Sequence, residues 1–253
     1  MSYIETLKNC AKDKKRGSLD IALDIIEASF ALANLNENKK LIVLLKEIIK
    51  KQPSMALVIN VCFKIIDLLK KDEIQKIAFL KQDLLDFIQK STLKASKFLD
   101  GKSICTISYS KEVFLSIAKS LCKTVYIGIG HPKKEGEAFA LDLKKIGKNV
   151  VVFEDNNYLF GAKMCDVFLS GADALFDDFF VNKSQTFCLC LLARYFKKPF
   201  YVIANKYKYL PDKLKNYYKI LQMPKSEVTK KDLDTYNVYF EEIPLEFVTL
   251  IGG

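Results

Sequence analysis

The hydrophobic period of the chain changes at Asp100-Gly101, and this change limits the fold more than any other feature. Upstream, Leu19, Ala22, Leu23, Ile25 and Ile26 recur at helical spacing behind Ser18, a candidate N-cap. Leu41, Leu44, Leu45, Ile48 and Ile49 repeat the pattern. Pro53 breaks the chain, and Ser54 is placed to cap a third helix through Met55, Ile59, Phe63 and Ile66. A fourth, long amphipathic helix is predicted over about 72–98. With no strand signal before residue 100, residues 1–98 are expected to form a helical N-terminal domain.

After the turn dipeptide, short apolar runs alternate with amphipathic helices. Strands are predicted at Ser103–Ile107, Thr124–Ile129, Asn149–Phe153, 165–170, Phe200–Ala204 and Val238–Glu241. Helices are predicted at Lys111–Leu121, Glu135–Ile146, roughly 156–163, and 186–196. Such alternation implies a mostly parallel, doubly wound sheet, so residues 99–253 read as a Rossmann-like domain and the chain as α/β. No G-x-G-x-x-G follows the first strand. The nearest run, Gly128-Ile129-Gly130-His131-Pro132, follows the second strand with the wrong spacing. A dinucleotide is therefore not supported, and no cofactor is expected.

Half of the 253 residues are hydrophobic, enough for a sizeable core. The formal charge of +10 comes from Lys pairs scattered along the chain, a general surface bias that does not favour nucleic acid as a partner. Abundant Lys and Glu with one His and no Trp suit a thermophile. The seven cysteines are odd in number and lie mostly in apolar runs, as expected of reduced core residues. Cys188 and Cys190 form a C-x-C, but there is no second pair and the one His is distant, so no metal site is expected. No apolar run reaches the ~18 residues that a membrane span needs. Without a signal or transit peptide, the expected compartment is the cytoplasm.

Chemistry concentrates in Cys165 to Thr186, CDVFLSGADALFDDFFVNKSQT. An apolar strand ends at Gly171, and Asp173 follows where open α/β sheets gather ligand-binding groups. Asn182, Lys183 and a helix start near Thr186 suit an anion such as phosphate. Asp173 also serves as a plain turn residue and Lys183 as a solvated cation. Arg16 sits among Lys12, Lys14 and Lys15, yet in an Arg-Gly-Ser context that lets a phosphate approach the backbone. Ser108 and Ser110 follow the first strand and either donate to a ligand or cap the next helix.

Several stretches, in order, resemble one family. They are Arg16-Gly17-Ser18, Gln52-Pro53-Ser54, Asp100-Gly101, Ile104 to Ser110, and Pro132 to Gly136. Asp166, Gly171 to Ala174, Asn182-Lys183, Pro199 to Val202 and Glu242 to Glu246 continue the series. The family contains the regulatory subunits of translation initiation factor 2B, methylthioribose-1-phosphate isomerase and ribose-1,5-bisphosphate isomerase. The resemblance implies a helical domain before a Rossmann-like one, and a homodimer formed through the latter. In the isomerases a Cys and an Asp move the proton between an aldose and a ketose 1-phosphate. The resemblance places that Asp at Asp173, phosphate on Arg16 with Gly17 and Ser18, and substrate on Asn182 and Lys183.

The departures are equally informative. The family's catalytic Cys position is Ser108 here. Cys105, three residues earlier on a strand, faces the other way. A serine hydroxyl is a far poorer proton donor or acceptor near neutral pH than a thiol of pKa about 8.5. The family's Arg is replaced at Gln52, its Glu-Ser-Arg-Pro motif reads Ile129-Gly130-His131-Pro132, and the Gly of its Asn-Lys motif is Gln185. The expectation is an initiation-factor-2B-like protein that binds a phosphorylated sugar or nucleotide and lacks the isomerase reaction. The alternative is a divergent isomerase that still uses Asp173.

Overall fold

A computed structural model describes residues 2–252 of the chain. They divide into two compact units. One takes the chain up to Phe87, with Asp173–Phe176 and Tyr207–Lys219; the other takes Ile88–Ala172, Asp177–Lys206 and the chain from Ile220 on.

The first unit is built on α1 (Tyr3–Lys12), α2 (Ser18–Asn34), α3 (Asn38–Lys51), α4 (Ala56–Lys70) and the first half of α5 (Gln75–Leu99). The apolar stripes predicted from spacing are the buried faces: Ile21, Ile25, Leu41, Leu45, Ile48 and Ile59 are fully enclosed. Two capping expectations shift by one residue. Gly17 is the N-cap of α2, with Ser18 its first helical residue. Met55 is the N-cap of α4, and the Ser54 hydroxyl instead donates to the Lys219 carbonyl at 2.6 Å. Asn60 Nδ2 donates to the carbonyls of Tyr207 (2.7 Å) and Tyr209 (2.6 Å), which ties the late segment to the helices.

The second unit begins behind the Asp100-Gly101 turn, where Gly101 takes a φ of +69° and Asp100 accepts from the Leu121 amide at 2.6 Å. Its strands are β1 (Ile104–Thr106), β2 (Val125–Gly128), β3 (Val150–Phe153) and β4 (Val167–Gly171). After β5 (Ala174–Leu175), which belongs to the first unit, come β6 (Phe179–Lys183), β7 (Phe200–Ile203), β8 (Phe240–Pro244) and β9 (Thr249–Ile251). The helices are α6 (Lys111–Lys119), α7 (Glu135–Lys145), α8 (Tyr158–Met164) and α9 (Thr186–Tyr195). Six strands form one parallel sheet in the order β3-β2-β1-β4-β7-β9, with Cys105 opposite Tyr126 and Phe168. This is the doubly wound order, and it reverses direction between β1 and β4. Leu99, Ile104, Val113, Ile117, Val125, Ile127, Phe139 and Leu169 form the core on one sheet face. β6 pairs antiparallel with β8, Asn182 opposite Glu241 and Lys183 opposite Phe240. The sequence predicted β8 two residues early, and neither β6 nor β9 as a strand.

Most of the cysteines lie in the core. All seven are free thiols, five of them buried, and burial pushes Cys10 up to about 11 and Cys190 up to about 12. Among the described residues no helix is long and apolar enough to cross a membrane.

Candidate functional site

The ends of β1 and β4 flank the place where the sheet reverses, which is where open α/β sheets bind ligands. Beyond β1 the chain turns sharply, with Ser108 in the left-handed region at φ +62°. Its hydroxyl donates to Glu135 Oε1 at 3.4 Å. Ser110 is the N-cap of α6 and accepts from the Val113 amide at 3.4 Å. A Cβ on Gly171, at the end of β4, would lie 2.5 Å from the Ser110 Oγ, so glycine there is what lets the two strand ends close up. Cys105 is fully buried and its thiol is pushed well up, by desolvation first, so it is a core residue with no route to a ligand.

β6 delivers Asn182 and Lys183, both buried although polar. Asn182 Nδ2 donates to Thr186 Oγ1 at 3.0 Å, and that hydroxyl donates to the Lys183 carbonyl at 2.5 Å. Gln185 then takes a φ of +81°, a conformation suited to glycine, and is the N-cap of α9. The Lys183 ammonium pairs with Glu135 Oε1 at 2.5 Å, donates to the His131 carbonyl at 3.3 Å, and lies 5.0 Å from the Tyr239 ring centroid.

Around Lys183 the second unit holds a cleft of about 90 Å³. His131, Asp155, Tyr158, Asn237 and Tyr239 are among its lining residues. Asp155 shapes the rim by accepting from the amides of Gly130 (2.9 Å) and His131 (2.6 Å). Tyr158 is 5% exposed, its hydroxyl has no close hydrogen-bond partner among the described residues, and burial pushes its pKa well up. Glu135, Asp155, Tyr158 and Tyr239 had no role at a site that was legible in the sequence. A Glu at the first position of a helix, inside a motif-like stretch, was the signal for the first of them.

Arg16, Gly17, Ser18 and Asp173 belong to the first unit. Arg16 Nε is 2.6 Å from Asp13 Oδ2, and its Nη1 is 2.7 Å from Asp24 Oδ2. These two carboxylates hold the guanidinium pKa above its already high ordinary value. Two of the five guanidinium N–H groups are thus engaged by carboxylates. Gln52, in the position of the family's Arg, is buried and turned inward. Its amide donates to the carbonyls of Cys10 (2.8 Å) and Asp13 (2.7 Å), closing the end of α1. Asp173 is half-buried, two residues past β4. The structure thus gathers Ser108, Asn182 and Lys183 in the second unit. It leaves Ser110 as a cap, and sets Arg16, Gly17, Ser18 and Asp173 in the first.

Comparison with known proteins agrees with this architecture. The chain is 26% identical over 262 residues to an initiation factor eIF-2B subunit 2-like protein of Pyrococcus abyssi, covering 97% of this chain and 92% of that protein. A crystal structure of translation initiation factor eIF-2B from Pyrococcus horikoshii OT3 superposes with a TM-score of 0.84 at 23% identity, over 99% of this chain and 94% of that one. A 5-methylthioribose 1-phosphate isomerase from Pyrococcus horikoshii OT3 gives 0.79 at 17% identity, over 99% and 83%. At such identities the structural likenesses establish the fold. The Initiation factor 2 subunit family matches residues 4–252, and the chain belongs to that family.

Proposed function

We propose that the chain is an initiation-factor-2B-like protein that binds a phosphorylated sugar or nucleotide in the cytoplasm and does not isomerise it. The observation that carries this reading is Ser108. At the strand end where the isomerases use a thiol, this chain has a hydroxyl hydrogen-bonded to Glu135 at 3.4 Å. A serine there cannot take up or release a proton near neutral pH as a thiol of pKa about 8.5 does. For the ligand we propose the residues named from sequence: Arg16 with Gly17 and Ser18, Ser108, Ser110, Asn182 and Lys183. The planar guanidinium of Arg16 suits a phosphoryl group in fork geometry.

One observation favours the alternative, a working aldose–ketose isomerase. Asp173 stands half-buried just past β4, one of the two strands that flank the sheet reversal. A thermal-shift screen against sugar phosphates, sugar bisphosphates and nucleotides, followed by an isomerase assay on each hit, separates the two. Stabilisation that is lost in Arg16→Ala, without turnover, is the expected result. Turnover that disappears in Asp173→Asn would establish the isomerase instead, and no stabilisation by any phosphate ester would end both readings.

We also infer a homodimer through the C-terminal domain. Val151 and Val152 on the edge strand β3, with Leu159, Phe160 and Met164 on α8, are exposed apolar side chains that give such an interface its area.

A further inference from the structure

The basic groups around the second unit's cleft are already matched by acids. Lys183 is bound to Glu135 at 2.5 Å. His131 faces Glu154 at 3.5 Å, and Lys133, which also approaches the Tyr239 ring, pairs with Glu227 at 3.3 Å. Asp155 adds a carboxylate whose oxygens accept from two backbone amides. A phosphoryl group entering here would meet one ammonium already in an ion pair and two nearby carboxylates, Glu135 and Asp155. Opposite charges at this distance largely cancel, so the attraction left for a second anion is small. The groups left open are of another kind. Tyr158 lines the cleft with an unpartnered hydroxyl, and Glu135 Oε2 is buried without a partner beside Lys183. A phenol and a carboxylate oxygen suit ligand hydroxyls, which donate and accept at once.

We propose that Glu135 is a positioning residue that fixes the specificity of this cleft. By holding Lys183 in an ion pair, it makes the cleft take the uncharged, hydroxyl-bearing part of the ligand and turns away phosphoryl groups. The assignment rests on Lys183 lying at the ligand site. Glu135→Gln keeps the shape of the side chain and removes its charge, which converts Lys183 into an anion-binding group.

The test uses the whole chain and inorganic phosphate as the probe, titrated calorimetrically at low salt. The unaltered protein sets the reference phosphate affinity. Glu135→Gln raises it about tenfold or more, as removal of a unit charge a few ångströms away implies, and the gain fades with added salt. Lys183→Met in the Glu135→Gln background abolishes the gain, and Glu135→Asp, which keeps the charge, shows none. A Glu135→Gln protein with no gain overturns the proposal, as does a gain that persists when Lys183→Met is added. If Glu135→Gln does not fold, Glu135→Ala, which removes the same charge, is read in its place. Because the probe is phosphate itself, these outcomes are independent of whether any sugar phosphate stabilises the chain. Failure of the functional reading and failure of this one are therefore distinguishable.

Discussion

Asp13 organises the first unit's basic loop. Its Oδ1 accepts from the amides of Lys15 (2.8 Å) and Arg16 (3.0 Å), and its Oδ2 from Arg16 Nε (2.6 Å). The Arg16 guanidinium, then the two amides, hold the carboxyl down at about 2, below its ordinary value near 3.9. A carboxylate depressed in the folded state stabilises fully above the unfolded value and loses that contribution as the pH falls through the folded value. Asp13→Asn is therefore expected to lower the urea midpoint at pH 5, with a gap to the parent that closes between pH 4 and pH 2. Solvent screening of the loop keeps the gap to about 1 kcal/mol or less. A gap of equal size at pH 5 and pH 2 would show that the ion pair contributes nothing. The same loop shows what a residue list misses. Arg16 was legible as an anion-binding candidate from its Arg-Gly-Ser context. Its two acidic partners, three and eight residues away, become partners only once α1 ends and α2 begins.

At the scale of elements, the seat of α7 on the end of β2 decides where Glu135 stands. A Cβ on Gly136 would collide with the Gly128 carbonyl and come within 3.1 Å of the Gly128 and Ile129 carbonyl carbons. These are backbone atoms and cannot rotate away, so Gly136→Ala must lift α7 from the sheet. We expect a loss of about 2 kcal/mol, in the range for overpacked interiors. Gly17→Ala, whose added carbon meets open space, should cost less, about 0.5–1 kcal/mol as an N-cap change. Equal losses in a denaturant titration of the two variants would refute the packing argument. Secondary structure was legible where local period or breakers dictate it, as for α2 to α5 and the parallel strands β1 to β4. β6 escaped because Asn182 and Lys183 interrupt its apolar run; only pairing with β8 makes it a strand. β9 is three residues long and exists through its ladder with β7.

For the molecule as a whole, the question is what covers the apolar side chains of β3 and α8. Val151, Val152, Leu159 and Met164 are between 37% and 51% exposed, on an edge strand and a short helix of the same unit. If the chain is a homodimer through this face, light scattering gives twice the 28.9 kDa chain mass, and Leu159→Glu with Met164→Glu returns it to one. A protein that is monomeric at micromolar concentration before any change would dispose of that interface.

The amino-acid sequence by itself determined the class of fold: helices, then an alternation that only a parallel, helix-covered sheet accommodates, with the turn between them at Asp100-Gly101. It also put a serine, Ser108, just past the first strand, because residue identity at a strand end needs no coordinates to be read. Tertiary structure alone decided which charges meet. Arg16 with Asp13 and Asp24, Lys183 with Glu135, and Gln52 with the end of α1 are pairings set by where elements come to rest. The period of hydrophobic residues is a local property that fixes what each segment is. Electrostatic partnership depends on distances across the fold, and whether a cation is open to a ligand or already matched follows from those distances.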